Sequence, residues 1–203
     1  LKIFKSTFIL IIIYYSNFMI NKTQKLPVLI TGGCGYIGSH LAIELLSNGY
    51  TVVIIDNLSN SKKNIIKIIT RITKKNLIFY KVDLKNKNEL EKIFCKHNFS
   101  SVFHLAGLKS IEESMSLPLL YYKENISITL SLLDIISKYK VKNFIFSSTA
   151  TVYDKNMKLP WTENTITSFP DHAYGSSKLI IENILKDFQN KKKNISVGIL
   201  RYF

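Results

Sequence analysis

The sequence contains few cysteines, few acidic side chains and no long apolar run. Only two cysteines occur in 203 residues, Cys34 and Cys95, and they do not have the spacing of metal ligands. We therefore expect no metal site built on cysteine. A reduced compartment, the cytoplasm, is the simpler interpretation for a chain of this kind.

Acidic residues are outnumbered two to one. The chain has 28 Lys and Arg against 14 Asp and Glu, a net charge of +14, which raises nucleic acid and anionic membranes as partners. The lysine clusters at 62–63, 74–75 and 191–193 are separated by segments that look folded, and none is interleaved with aromatic residues. We therefore expect a solvated basic surface that at most attracts an anionic small molecule, and no nucleic-acid partner.

The longest apolar run lies near the start of the chain. Lys2 and Lys5 precede residues 8–15, a run with the length of a signal-peptide core that is too short to span a bilayer. No small-residue cleavage pattern follows it, and Met19 stands shortly before the first predicted strand. Residues 1–25 are interpreted as an upstream extension, a targeting segment or a gene-model artefact. Residues 26–203 are predicted to form one nucleotide-binding domain with no membrane partner.

The most informative stretch is a glycine-rich turn between an apolar strand and a helix. Gly32, Gly35 and Gly38 are spaced three apart, and residues 41–46 continue at helical period. Gly32 permits a tight turn, Gly35 a close approach of backbone to phosphate, and Gly38 close packing of helix on strand. Such a turn presents backbone N–H groups and a helix N-terminus to a pyrophosphate, which favours dinucleotide binding over a simple glycine turn.

Strands and helices are predicted to alternate along the rest of the domain. The predicted strands cover 27–31, 51–55, 77–82, 101–105, 143–147 and 195–202; the predicted helices cover 36–48, 64–75, 87–97 and 111–139, with one more opening near Tyr174. This alternation predicts an α/β fold, a doubly wound parallel sheet of the Rossmann type. Its ligand should lie over the carboxyl ends of the strands.

Several polar residues follow predicted strands at that edge. Asp56 ends the second strand, about 20 residues past the glycines, where a carboxylate accepts hydrogen bonds from an adenosine ribose and repels a 2′-phosphate. This position favours NAD over NADP, although Asp56 could instead form a turn with Asn57. Asp83 and Ala106-Gly107 end the third and fourth strands and are further candidate cofactor contacts.

The helix predicted over 111–139 is entered or bent at Pro118. Its apolar positions recur at intervals of three or four, which predicts that they pack in the core. Asn125 lies within this pattern and needs a hydrogen-bond partner if it is buried. The positions assigned to the core are Leu119, Tyr122, Ile126, Leu130 and Leu133.

Tyr174 and Lys178 are four residues apart, so a helix places both on one face. A phenol is a poor base at neutral pH, and a nearby ammonium group stabilises its anion. A pair at this spacing is usually a packed ring beside a solvated charge. After a dinucleotide-binding turn and the hydroxyl-rich strand end 147–149, an acid–base pair is the better interpretation.

With these residues in place, the chain resembles the extended short-chain dehydrogenase/reductase family, and within it the sugar-nucleotide 4-epimerases. The glycine turn and the Tyr-Lys pair mark the superfamily, whereas 104–109 and 147–153 are closer to the epimerases. The resemblance runs from about residue 26 to 203 through the segments 31–40, 56–61, 104–109, 118–122, 143–153 and 174–178.

The resemblance implies an NAD cofactor, a UDP-sugar substrate and a homodimer. It implies that Thr149, Tyr174 and Lys178 are catalytic, and that Lys109, Thr149, Tyr174 and Phe203 contact substrate. The implied cofactor contacts are Gly32, Gly35, Tyr36, Ile37, Gly38, Asp56, Asn57, Leu58, Ser59, Asn60, Ser61, Asp83, Leu84, Leu105, Ala106, Gly107, Lys109, Asn125, Tyr174, Lys178 and Phe203.

The implied reaction interconverts UDP-glucose and UDP-galactose through a 4-keto sugar. Tyr174, with its pKa lowered by Lys178 and by the nicotinamide charge, takes the proton from the sugar 4-hydroxyl while hydride leaves C4. Thr149, at a position where the family often has serine, hydrogen-bonds that hydroxyl.

The family continues beyond the position of Phe203 into a smaller domain that holds the nucleotide sugar, so the chain resembles a fragment that alone turns over substrate poorly.

Three alternative functions stay open. A UDP-N-acetylhexosamine epimerase is one alternative, since pocket size is set in that smaller domain. A dehydratase is less similar, because Ala150 and Thr151 stand where it needs an acidic pair. A non-catalytic NAD-binding scaffold would be expected to lack Tyr174 or Lys178.

Overall fold

The computed structural model describes residues 26–192 and 194–202. The expectations for residues 1–25 and for Phe203 lie outside these ranges. These residues form six strands and six α-helices in the order β1 (Val28–Thr31), α1 (Tyr36–Ser47), β2 (Val52–Asp56), α2 (Asn64–Thr73), β3 (Ile78–Lys81), α3 (Lys87–Lys96), β4 (Ser101–His104), α4 (Ile111–Ser116), α5 (Pro118–Lys138), β5 (Asn143–Thr149), α6 (Ala173–Lys191) and β6 (Ser196–Tyr202), with a short 3₁₀ helix at Ala150–Val152.

The strands form one parallel sheet in the order β3-β2-β1-β4-β5-β6. Val28 pairs with Val52 on one side and with Ser101 on the other, so the strand order reverses between β1 and β4. Ligands of open α/β sheets bind at such a switch point, outside the carboxyl ends of the strands. The predicted doubly wound sheet is confirmed.

Helices cover both faces of the sheet, which explains why every residue of β1, β2 and β4 is buried. Alternate strand residues, such as Leu29, Val53 and Phe144, pack on the face covered by α3, α5 and α6. Their neighbours, such as Ile30 and Ile54, pack on the face covered by α1 and α2. A strand buried on both faces has no polar side, and this is the pattern the β-branched runs predict.

The segment predicted as one helix over 111–139 is two helices. Leu117 separates them with φ −127° and ψ 57°, and Pro118 occupies the first turn of α5, where its missing N–H breaks no hydrogen bond. Ser110 caps α4 by accepting from the N–H of Glu113. The chain is therefore interrupted, rather than bent, just before Pro118.

The predicted core face of α5 is wrong for two of its five positions. Leu119 is 81% exposed and Leu130 is 44% exposed, whereas Leu133 is buried. Tyr122 and Ile126 are half-buried. The buried face instead runs through Tyr121, Asn125, Ile128, Thr129, Leu132 and Ile136. The pattern misled because the buried face carries polar residues that the structure satisfies with hydrogen bonds.

Candidate active site

The glycine turn lies between β1 and α1 and closely approaches the loop after β4. Gly32 has φ +70°, and its N–H donates to the carbonyl of Ile55 at 2.9 Å. A Cβ on Gly32 would lie 2.7 Å from the Ala106 nitrogen, and one on Gly38 would lie 2.4 Å from the Gly32 oxygen. Only glycine fits at these two positions, so the tight turn and the close helix packing predicted for them are confirmed.

The N-terminus of α1 keeps its first-turn N–H groups available for an anion. Gly35 is the N-cap and provides no side-chain hydrogen bond, and the first turn contains no acidic residue. The first N–H groups of a helix have no partner within the helix, and its dipole favours negative charge there. Tyr36 is largely exposed at this position, with its ring edge-on to His40. The arrangement fits a pyrophosphate.

Asp56 ties the glycine turn to the loop that follows β2. Its buried carboxylate accepts from the N–H of Cys34 at 3.0 Å, the N–H of Leu58 at 2.9 Å and the hydroxyl of Ser61 at 2.9 Å. A carboxylate has about four acceptor positions, so one acceptor position remains for a ribose hydroxyl. The bond from Leu58 closes a turn with Asn57 at its centre, so the turn interpretation is confirmed. Contact of Asp56 with a ribose stays a prediction.

The loop after β2 contacts the loop after β3. Asn57 donates to the carboxylate of Asp83 at 3.1 Å, and Asn57 also accepts from the N–H of Ser59. Ser59 and Asn60 are exposed beside them. Leu84, a predicted cofactor contact, has its side chain in the core, so only its backbone faces this edge.

Asn125 holds the loop that follows β4. Its Oδ1 accepts from the N–H of Leu108 at 2.8 Å, and its Nδ2 donates to the Leu108 carbonyl and to the Ser177 hydroxyl, each at 3.1 Å. The hydrogen-bond partners required of a buried Asn125 are thus present. With its amide engaged by the protein, Asn125 supports the loop containing Gly107 and the exposed Lys109.

A fully buried histidine lies beneath this loop. His104 Nδ1 is 2.8 Å from the Thr31 hydroxyl, and its Nε2 is 3.0 Å from the Thr129 hydroxyl, which itself donates to the Asn125 carbonyl. Thr129 must therefore accept from Nε2, which fixes the neutral tautomer with its proton on Nε2. Burial lowers the pKa of His104 to about 3, and the charge of Lys178 adds to this effect.

Thr149, Tyr174 and Lys178 meet where β5 ends against the first two turns of α6. The Thr149 hydroxyl lies beside the Tyr174 phenol and opposes the rise that burial causes in its pKa. The buried Lys178 ammonium donates to the Ser147 carbonyl at 2.9 Å and lies 4.7 Å from the centre of the Phe146 ring. It is 5.9 Å from the centre of the Tyr174 ring. A Cβ on Gly107 would lie 3.6 Å from Lys178 Nζ, so this group adjoins the loop after β4.

Burial raises the pKa of Tyr174, and the neighbouring Thr149 hydroxyl opposes this rise. Burial also lowers the pKa of Lys178 to about 8, and the ammonium donates to the Ser147 carbonyl. The expected lowering of the Tyr174 pKa by Lys178 and the nicotinamide charge together stays a prediction.

Glu182 is a buried residue near this site that the sequence interpretation missed. Its carboxylate accepts from the Ser148 hydroxyl at 2.6 Å and from Arg201 Nε and Nη2 at 3.0 and 2.7 Å. Arg201 also stacks on the Tyr153 ring, with its Cζ 4.7 Å from the ring centre. The signal was present, because Glu182 follows Lys178 by four residues on the same helix face.

The fold and this arrangement of groups define a dinucleotide-binding domain of the Rossmann type with a Tyr-Lys pair at the carboxyl edge of its sheet. Residues 28–203 match the NAD dependent epimerase/dehydratase family, and the chain belongs to that family.

Its relatives and structural neighbours include sugar-nucleotide epimerases. UDP-glucose 4-epimerase uge1 of Schizosaccharomyces pombe is 46% identical over 179 residues, which are 87% of this chain and 50% of that protein. A UDP-glucose 4-epimerase from Bifidobacterium longum, solved with NAD⁺ and UDP, superimposes with a TM-score of 0.85 at 41% identity, covering 87% of this chain and 53% of that one. The UDP-Glc/GlcNAc 4-epimerase of Campylobacter jejuni gives 0.83 at 32% identity, covering 88% and 53%.

The chain spans about half the length of the relatives it matches. Within residues 26–192 and 194–202, none of the helices has the length and apolar character needed to cross a membrane.

Proposed function

We propose that this chain is the NAD-binding part of a UDP-glucose 4-epimerase. The observation that carries the proposal is the meeting of the Thr149 hydroxyl, the Tyr174 phenol and the Lys178 ammonium beside the glycine turn. The epimerase relatives support it, since they align with most of this chain. We further propose that residue 26 begins the domain and that this domain contributes Thr149 and Tyr174 to the binding of a UDP-sugar.

The described residues fit NAD. Gly32 and Gly38 lie where a Cβ would clash with backbone atoms, so the turn can pack tightly against the N-terminus of α1. We propose that the pyrophosphate binds at this N-terminus. The remaining acceptor position of Asp56 suits a ribose hydroxyl, and its charge disfavours a 2′-phosphate. In this proposal, Asn57, Asp83 and Ala106 line the adenosine side, and Lys178 lies at the nicotinamide side.

Bound NAD supplies a reversible acceptor for the hydride at C4 of the hexose. Tyr174 takes the proton of the sugar 4-hydroxyl as C4 is oxidised to the ketone. It returns the proton after the 4-keto sugar has turned its other face toward the nicotinamide. The neighbouring Thr149 hydroxyl acts to lower the pKa of the phenol and so favours the phenolate. Such positioned proton transfer contributes about 10²- to 10⁴-fold to a rate.

Lys178 contributes a positive charge held by the Ser147 carbonyl and the Phe146 ring. Since burial lowers its pKa to about 8, the ammonium form still dominates at neutral pH. Binding of a sugar hydroxyl and a nicotinamide would bring further polar groups into the site. The phenol, whose pKa burial raises, then gains the environment it needs to ionise.

A homodimer is part of this proposal. The row of Leu119, Tyr122, Ile126 and Leu130 on α5 is apolar at helical spacing, yet its two leucines are exposed. A second copy of the chain would cover such a row, since exposed apolar stripes commonly mark contact surfaces.

The test uses the polypeptide in which this chain occurs. Conversion of UDP-galactose to UDP-glucose without added NAD is expected, and Tyr174→Phe should lower kcat by about 10²-fold or more. Tyr139→Phe is the matched control, because it removes a phenol that contacts Cys95 rather than Thr149. Bound NAD with no turnover of UDP-galactose or UDP-N-acetylgalactosamine would disprove the proposed function.

A further inference from the structure

His172 precedes the catalytic-site helix and contacts it in three ways. Its Nδ1 accepts from the N–H of Gly175 at 3.0 Å, which makes it the N-cap of α6. Its ring stacks on that of Tyr174, with centroids 6.1 Å apart and planes 11° from parallel. A Cβ on Gly175 would lie 2.8 Å from His172 Cε1. The ring is therefore held closely against the first turn of α6.

The first turn of α6 also brings the His172 ring close to Thr149, whose hydroxyl neighbours the Tyr174 phenol. A Cβ on Gly175 would also lie 2.8 Å from the Thr151 hydroxyl, which is itself 3.2 Å from the Thr149 hydroxyl. His172 thus contacts Tyr174 directly and adjoins, across Gly175, the residues that hold Thr149.

We propose that His172 is a positioning residue whose neutral imidazole holds the Tyr174 phenol in place. This deepens, and rests on, the proposed epimerase function. Since Nδ1 accepts a hydrogen bond, the neutral ring carries its proton on Nε2. Asn, Asp, Ser and Thr are the usual N-caps, and none of them adds a ring or titrates near neutral pH as histidine does.

Protonation would remove this support. A protonated ring has no acceptor at Nδ1, so the Gly175 N–H loses its cap, and a positive charge appears at a helix N-terminus where the dipole opposes it. Burial lowers the pKa of His172, and the neighbouring Asp171 opposes that shift. Asp171 is itself paired with Lys155 at 2.8 Å, which limits its pull on the ring. Since its pKa is lowered, the ring is neutral at neutral pH, and we expect the site to weaken only at acid pH.

Two variants separate the cap from the ring. His172→Asn keeps a capping acceptor but does not titrate, and His172→Phe keeps the ring but has no acceptor. The first measurement is the alkaline titration of Tyr174, followed by tyrosinate absorbance as the difference from Tyr174→Phe in each background. The second is the kcat–pH profile of the polypeptide in which the chain occurs, from pH 5 to 8.

We expect His172→Phe to move the Tyr174 titration midpoint toward the ordinary value of about 10, because an uncapped first turn exposes the phenol. We expect the kcat of His172→Asn to fall less from pH 8 to pH 5 than that of the unmodified protein, because the imidazole titration is removed. An unchanged Tyr174 midpoint in His172→Phe, or the same acid decline in His172→Asn, would overturn the proposal. Since the absorbance titration needs no turnover, it decides the role of His172 even if the epimerase function fails.

Discussion

Gly35 and Gly38 belong to the same turn but are constrained by different neighbours. A Cβ on Gly38 would meet backbone atoms of Gly32 and Gly33 at 2.4 and 2.7 Å, whereas one on Gly35 would meet only the Gly32 oxygen, at 3.3 Å. Gly38→Ala should therefore lower the free energy of unfolding by about 1 to 3 kcal/mol and also weaken NAD binding.

Gly35→Ala should weaken NAD binding with little loss of stability. Its new methyl group stands where phosphate would approach, and Gly35 has an extended backbone with φ −74° that alanine adopts freely. Urea unfolding and calorimetric NAD titration of both variants provide the comparison. Equal losses of stability in the two variants would contradict this account of the turn.

The burial of Lys178 should make the free energy of unfolding increase at alkaline pH. Its pKa is about 8 in the folded protein, against an ordinary value of 10.5. Between these values the unfolded chain binds a proton that the folded chain does not, so the free energy of unfolding increases with pH. From pH 8 to 10 the increase attributable to Lys178 should be about 1 to 2 kcal/mol.

The measurement is urea unfolding of nucleotide-free protein at pH 8 and pH 10, compared with Lys178→Met. The variant should lack this increase, since methionine keeps the apolar stem without a titrating group. Other groups that titrate in this range, including Cys34, are common to both proteins and cancel in the difference. Parallel pH dependences would show that Lys178 is not buried in the way described.

At the scale of elements, the buried Glu182–Arg201 pair joins three segments that build the site. It connects α6 to β6 and, through Ser148, to the end of β5. Glu182→Gln should cost about 3 kcal/mol, because it leaves the Arg201 charge, only 15% exposed, without its partner.

Asp134→Asn is the control, since it breaks the pair with Lys87 on the surface of α5, where both side chains are more than 60% exposed. Its cost should stay below about 1 kcal/mol. Thermal unfolding of the two variants at equal ionic strength gives the difference. A surface variant as damaging as Glu182→Gln would refute the importance assigned to burial.

The order of the elements could be predicted from the sequence because most strands are short runs rich in β-branched or aromatic residues, and the segments between β1 and β5 show helical periodicity. The ends of β1 and β2 were located to within a residue for the same reason. The buried face of α5 could not be predicted from the sequence, because Asn125 and Thr129 count as polar in any hydrophobic pattern. Only the tertiary partners of these two side chains, Leu108 and His104, explain their burial.

The site was partly predictable for a related reason. Residues with a fixed local spacing, such as the glycines and the Tyr174–Lys178 pair, can be recognised within one element. His172 depends on the first turn of α6, and a single histidine gives no such local signal. Glu182 shares a helix face with Lys178, but that spacing does not identify its partners on β5 and β6. Their roles follow only from the folded arrangement.

At the scale of the molecule, the exposed apolar row on α5 predicts self-association. Glu in place of both Leu119 and Leu130 should convert a dimer to a monomer, because two charges would have to be buried at the contact. Sedimentation velocity at several concentrations measures this. Leu159→Glu is the control, since Leu159 is 69% exposed on a separate loop. Unaltered sedimentation of the double variant would place the contact elsewhere.

The three protein hydrogen bonds of Asp56 bear on how cofactor preference could change in this fold. An engineer seeking NADP use would replace Asp56 with a neutral residue, but the same carboxylate closes the glycine turn through Cys34 and orders the next loop through Leu58 and Ser61. One substitution would thus disturb phosphate binding while attempting to alter ribose recognition. A successful switch needs compensating changes in both loops, which makes a stepwise evolutionary route to NADP costly.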